Sequence, residues 1–195
     1  SFFMRIVFPK SKSELYVEYG KNDYSVNTRD YLIAPTHSVA HIVGFKKIVI
    51  LNKNRSLNLG IEFTQLSQSP DAILRNAGNW YVHGQVGQGY TNYNQIMGAG
   101  SGYGTNKQIV MGTWVSGDNR IGLFIEKTNR DPEHRSIYWT DMAYGITPQY
   151  TLHNFTLAAQ LVFIASKNYM WEYKNNISNF NAKLAITYPI TNLKN

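Results

Sequence analysis

Leu57-Asn58-Leu59-Gly60-Ile61-Glu62-Phe63-Thr64 carries an apolar residue at every odd position and a polar residue or glycine at every even one. Side chains point alternately to the two faces of a strand, so this run has one greasy face and one wet face. The same period of two recurs. In 155–165 the odd positions are Phe155, Leu157, Ala159, Leu161, Phe163 and Ala165, with Thr156 and Gln160 among the even ones. Phe180, Ala182, Leu184, Ile186 and Tyr188 alternate with Asn181, Lys183, Ala185 and Thr187, and Leu15, Val17 and Tyr19 alternate with Glu14, Tyr16 and Glu18. No segment shows an apolar stripe at helical spacing. The pattern predicts nine strands, at 1–8, 13–20, 38–51, 56–66, 107–116, 120–128, 137–147, 154–166 and 177–188. The 38–51 strand is the least regular, because Ile42, Ile48 and Ile50 oppose Val43, Phe45 and Val49.

The connections decide what kind of sheet this is. Pro9-Lys10-Ser11-Lys12, Asn52-Lys53-Asn54-Arg55, Gly117-Asp118-Asn119 and 148–153 are short, whereas 21–37, 67–106, 129–136 and 167–176 are long. Short and long alternate throughout, as in transmembrane barrels with tight periplasmic turns and extended extracellular loops. The expected fold is therefore all-β, an antiparallel transmembrane β-barrel in the bacterial outer membrane. Its greasy face would meet lipid, and its wet face, with Arg5, Glu14, Glu18, Glu62, Glu126, Asp141 and Lys183, would line the interior. Tyr16, Tyr19, Trp114, Tyr138, Trp139, Tyr144 and Tyr188 lie near strand ends and suit interfacial girdles. An odd strand count leaves a barrel one neighbour short, since single-chain bacterial barrels are even. The expectation is that 1–195 is a single domain, the C-terminal portion of a barrel, with strand 1–8 paired to a neighbour upstream.

Composition excludes several alternatives. Of 195 residues, 43 % are hydrophobic, 14 % aromatic and only 16 % charged, against a usual charged share of about 25 %. Such a chain is not disordered. With no Cys, disulfide scaffolds, zinc-thiolate sites and cysteine nucleophiles are ruled out. No apolar run approaches the ~18 residues of a membrane-spanning helix. The net charge of +7 is scattered, with Lys46-Lys47 the only adjacent basic pair, which argues against nucleic acid and leaves a plain solvated surface, anionic lipid or an acidic glycan.

Glu18-Tyr19-Gly20-Lys21-Asn22-Asp23, Thr28-Arg29-Asp30-Tyr31, Pro35-Thr36-His37-Ser38 and Gly44-Phe45-Lys46-Lys47 resemble the C-terminal half of the Wzi capsule-assembly family. So do Glu62-Phe63-Thr64-Gln65, Gln68-Ser69-Pro70-Asp71, the run Arg75-Asn76-Ala77-Gly78-Asn79-Trp80-Tyr81-Val82-His83, Gly87-Gln88-Gly89-Tyr90-Thr91 and Gly98-Ala99-Gly100. The resemblance covers about residues 8–130. It implies an outer-membrane barrel of about eighteen strands, used in capsular polysaccharide assembly, with some members thought to act as surface lectins. The chain departs from the habit of barrels that finish on an aromatic residue, since Pro189 to Asn195 follow Tyr188.

The 67–106 segment, a plug or surface loop, holds eight of the fifteen Gly. Trp80, Tyr81, His83, Tyr90, Tyr93 and Tyr103 are the candidate glycan contacts: pyranose C–H faces pack on aromatic rings while amide and imidazole groups bond the hydroxyls. Gly98 to Gly104 does not fit a dinucleotide fingerprint, because position 103 is Tyr and no helix follows. Arg29, Asp30 and His37 are candidates for a salt bridge that fixes the 21–37 loop. No metal site is expected, since the histidines are scattered, and no cofactor. The expected function is non-catalytic: outer-membrane lipid and a capsular polysaccharide as partners, with an upstream barrel half or other outer-membrane chains completing the barrel. The rivals are a structural barrel subunit with no glycan ligand, a lipid- or glycan-acting enzyme using paired inward carboxylates, and a soluble lipocalin-like carrier.

Overall fold

A computed structural model describes residues 1–22, 27–67, 80–81, 85–93, 95–102, 104–132 and 135–188. Nine strands form one antiparallel sheet in which each pairs with its neighbours along the chain. They are β1 (Phe2–Phe8), β2 (Ser13–Lys21), β3 (Val39–Asn52), β4 (Arg55–Gln65), β7 (Thr105–Ser116), β8 (Asn119–Arg130), β9 (Trp139–Leu152), β10 (Phe155–Lys167) and β11 (Ile177–Thr187). Within the long segment after β4, a small hairpin pairs β5 (Thr91–Asn92) with β6 (Gln95–Ile96). A six-residue helix, α1 (Thr28–Ile33), precedes β3, and a 3-10 turn (Tyr169–Trp171) follows β10. The sheet is not closed, because β1 and β11 are its two edges.

Directly opposed residues share a face, so the register can be followed across all nine strands. Ile6 faces Leu15, then come Phe45, Ile61, Val110, Ile125, Tyr144, Phe163 and Phe180. This row is apolar from edge to edge. It is also bare, with Val110 56 % and Ile125 52 % exposed in the middle of the sheet. Polar residues on that face gather at its two ends: Gln65, Asn106 and Lys167 towards the long loops, Arg55, Ser116 and Asn119 towards the short turns.

The opposite face is the wet one. Arg5, Glu14, Glu18, Glu62, Glu126, Asp141 and Lys183 all lie on it, as the register requires. Here large side chains lie flat over glycines of the next strand. A Cβ on Gly44 would come within 2.0 Å of the Tyr16 ring, and one on Gly145 within 2.0 Å of Phe124. Glycine is required at both positions because the neighbouring ring occupies the space a side chain would take. Ile42, Ile48 and Ile50, which made β3 irregular in sequence, belong to this face and sit opposite Thr64, Asn58 and Ser56.

Two expectations need correcting. β9 does not end before Pro148 but runs to Leu152, with His153 and Asn154 as the turn. Pro148 stays paired with Ile121 of β8, while the recorded pairing with β10 skips from Ile146 to Gln149; a residue with no N–H interrupts one ladder and leaves the other. The 21–37 segment is not all loop. Asn27 accepts a hydrogen bond from the Asp30 backbone N–H at 2.9 Å and caps α1.

Candidate functional site at the long-loop end

A dense polar cluster lies where β8, β9 and β10 leave the sheet on the wet face. Asp141 is 8 % exposed and accepts three hydrogen bonds: from Arg130 Nε at 3.0 Å, Trp139 Nε1 at 2.7 Å and Ser166 Oγ at 2.6 Å. A buried carboxylate needs donors of this kind, because transfer from water is costly without them. Arg130 also lies over the Trp139 ring at 5.3 Å and donates to the Ser101 carbonyl in the long 66–104 segment at 3.4 Å. The Arg130 carbonyl accepts from Trp171 Nε1 at 3.1 Å. Trp139 meets Tyr169 and Trp171 edge to face, each with ring centres 5.0 Å apart. Arg135 sits over Trp171 at 4.5 Å and beside Asp131 at 3.8 Å. One knot therefore ties together three of the four long connections.

Trp80 and Tyr81, described residues of the 66–104 connection, lie near β2. Trp80 lies over Gly20 of β2, whose Cβ would fall 2.7 Å from the ring, and it meets Tyr81 edge to face at 6.0 Å. The Tyr81 ring covers Gly98, and its hydroxyl accepts from the Ala99 N–H at 3.0 Å. Tyr81 and Tyr90 are joined through the backbone, as are Tyr90 and Met97. Trp80 and Tyr81 are thus half-buried packing residues that hold the loop. Among the described residues of this segment, Tyr90 at 60 % and Tyr93 at 95 % exposure are the bare rings. His83 and Tyr103 lie outside the described residues.

Sequence reasoning missed the company these two keep. Tyr31, Tyr138 and Tyr173 are also exposed, so every long connection presents at least one bare tyrosine. Lys21 sits 5.3 Å from the Tyr31 ring and Lys174 5.2 Å from Tyr173. The signal was available for Tyr31 and Tyr173, which lie in segments already read as long loops, whereas Tyr138 was read as the start of a strand.

The other candidates separate clearly. Glu14 is paired with Arg5 and lies 3.8 Å from Lys46; Glu62 accepts from the Tyr16 hydroxyl at 2.5 Å; Glu126 is 2.7 Å from Lys107. Each of these carboxylates is committed to a donor across the strands. Glu18 and Lys183 are exposed on the same face. Tyr16 and Trp139 point into the polar network, so neither is an outer girdle residue; Tyr19, Trp114 and Tyr144 are on the apolar face. Arg29, Asp30 and His37 do not form the expected salt bridge among the described residues. Asp30 instead occupies the first turn of α1, where a carboxylate favours the helix dipole, and His37 is buried with its Nε2 unpartnered.

Fold and site together define a class: an all-β protein built on one large antiparallel nine-stranded sheet. No family model, no curated protein and no solved structure matches the chain.

Proposed function

We propose that the chain is part of an outer-membrane β-barrel of the Wzi capsule-assembly type, and that its long-loop end holds surface polysaccharide without catalysis. The observation that carries this reading is the exposed apolar row running unbroken through all nine strands. A water-soluble surface rarely leaves so much apolar area contiguous and bare. The dimensions agree. The apolar positions of 155–165 cover about 33 Å at ~3.3 Å per residue, which a tilt near 45° reduces to roughly 23 Å, close to the ~25 Å apolar band of such barrels.

Lipid tolerates no unpaired sheet edge, so β1 and β11 pair with further strands in this reading. About eighteen in all, twice the number seen here, would match the capsule-assembly type. The long loops then lie outside the cell. Their exposed tyrosines offer flat apolar faces to sugar rings, and the neighbouring Lys21, Lys174 and Arg135 suit a glycan bearing carboxylates.

The test is capsular polysaccharide binding by the chain in neutral detergent. Replacing Tyr90 and Tyr93 together with alanine lowers affinity about tenfold, at roughly 0.7 kcal/mol per ring, while heat-modifiable gel migration stays unchanged. Equal binding by parent and variant removes these rings from the contact.

A further inference from the structure

The opposite end of the sheet holds a second site, of a different kind. Lys10 and Lys12 in the first turn, Lys46 and Lys47 beside it, and Lys53 and Arg55 around the second turn bring six cations to the short-turn end of β1–β4. Two acids lie among them: Glu14, already held by Arg5 and Lys46, and Asp118, which lines a separate hollow with Lys53 and Arg55. Lys10, Lys12, Lys53 and Arg55 have no partner among the described residues. A cavity of about 390 Å3 opens at this place, walled by Lys12, Glu14, Lys46, Ile48, Asn58 and Met111. Its floor is made by Gly60, which has no side chain to fill it and against which Met111 packs.

Val7 at 53 % and Ile48 at 45 % exposure stand bare beside these cations on the wet face. Apolar walls with Lys12, Lys46 and Lys47 among them, and Lys10 in the adjoining turn, fit a ligand that is both greasy and acidic. We propose that this cavity docks an acidic, amphipathic polypeptide segment approaching from the short-turn side.

Two other occupants fit less well. A second copy of this chain carries +7 itself and meets the cations with like charge. An anionic lipid has the right charge, but the cavity is walled largely by wet-face residues, and the proposed membrane surface is the other face. The choice of polypeptide over lipid therefore rests on that reading, whereas the existence of the site does not.

The probe is a short fluorescent peptide of alternating leucine and glutamate, titrated into the full chain in neutral detergent and followed by anisotropy. The expected result is saturable binding that weakens at least about tenfold when glutamine replaces glutamate, and again in a Lys10→Glu/Lys12→Glu variant, where two attractions become repulsions. Asn58→Trp fills the cavity and abolishes binding without touching a charge. Far-ultraviolet circular dichroism confirms that both variants keep their strands. Four outcomes overturn the proposal: no binding; binding indifferent to both variants; displacement of the peptide by phosphatidylglycerol vesicles that bind equally tightly through Lys10 and Lys12; or concentration-dependent self-association that blocks the peptide. Flotation of the chain with neutral lipid vesicles reports separately on the membrane reading. A chain that floats but ignores the peptide sinks this proposal alone.

Discussion

At the short-turn end, strands are joined by two residues at 53–54, 117–118 and 153–154 and by four at 9–12. Turns this short need little beyond the right backbone conformation, as at Gly117, where φ is +56°. At the long-loop end the same strands run into segments that build structure of their own: a capped helix, a small hairpin, a 3-10 turn and the Asp141 knot. The contrast teaches where order must be made locally. A two-residue turn inherits its geometry from the ladder beneath it. A long connection has no ladder, so it needs its own packed rings and buried hydrogen bonds, or its entropy would keep it open.

The sharpest way to break this contrast is Asp141→Ala. It strands the Arg130 guanidinium and leaves Trp139 Nε1 and Ser166 Oγ without an acceptor, and the expected cost is about 3 kcal/mol. Guanidinium unfolding in detergent, monitored by tryptophan fluorescence, measures it. Trp80→Ala should cost about 1–2 kcal/mol of global stability, with a larger local effect. Removing the ring that covers Gly20 frees the 66–104 segment, and limited proteolysis should cut it faster while the sheet stays intact. Lys53→Gln sets the floor of the scale. Its side chain is solvent-exposed in a two-residue turn, and the expected change is within about 0.5 kcal/mol. A Lys53→Gln cost equal to that of Asp141→Ala would show that the two ends are held in the same way.

What could be read from the sequence follows the same division. The strands were legible because Leu57 to Thr64 and 155–165 announce a period of two, and the alternation of short and long connections announced the meander. All seven wet-face charges were placed on one face correctly, since the period of two carries that information without any contact being known. The long connections were less legible. Asn27 with Asp30 three residues on is a helix-start signal, but six residues are too few to show an apolar stripe. The Asp141 knot unites residues from β8, β9, β10 and the 168–176 segment, and no local pattern specifies such a meeting. Trp80 and Tyr81 were recognised as important, but a sequence does not say whether a ring faces solvent or a glycine.

Every pairing in the large sheet joins strands that follow one another in the chain, which has a kinetic consequence. Four of the eight ladders can zip from a tight turn with little loss of chain entropy. The β4–β7 ladder alone must close across the whole 66–104 segment. Loop closure grows as the logarithm of length, so this one costs about 2–3 kcal/mol more than a two-residue turn. The chain is thereby divided into β1–β4 and β7–β11, two blocks that can each zip on its own. Their joining becomes the slow event of assembly, and a small folded hairpin such as β5–β6 shortens the effective loop that must close.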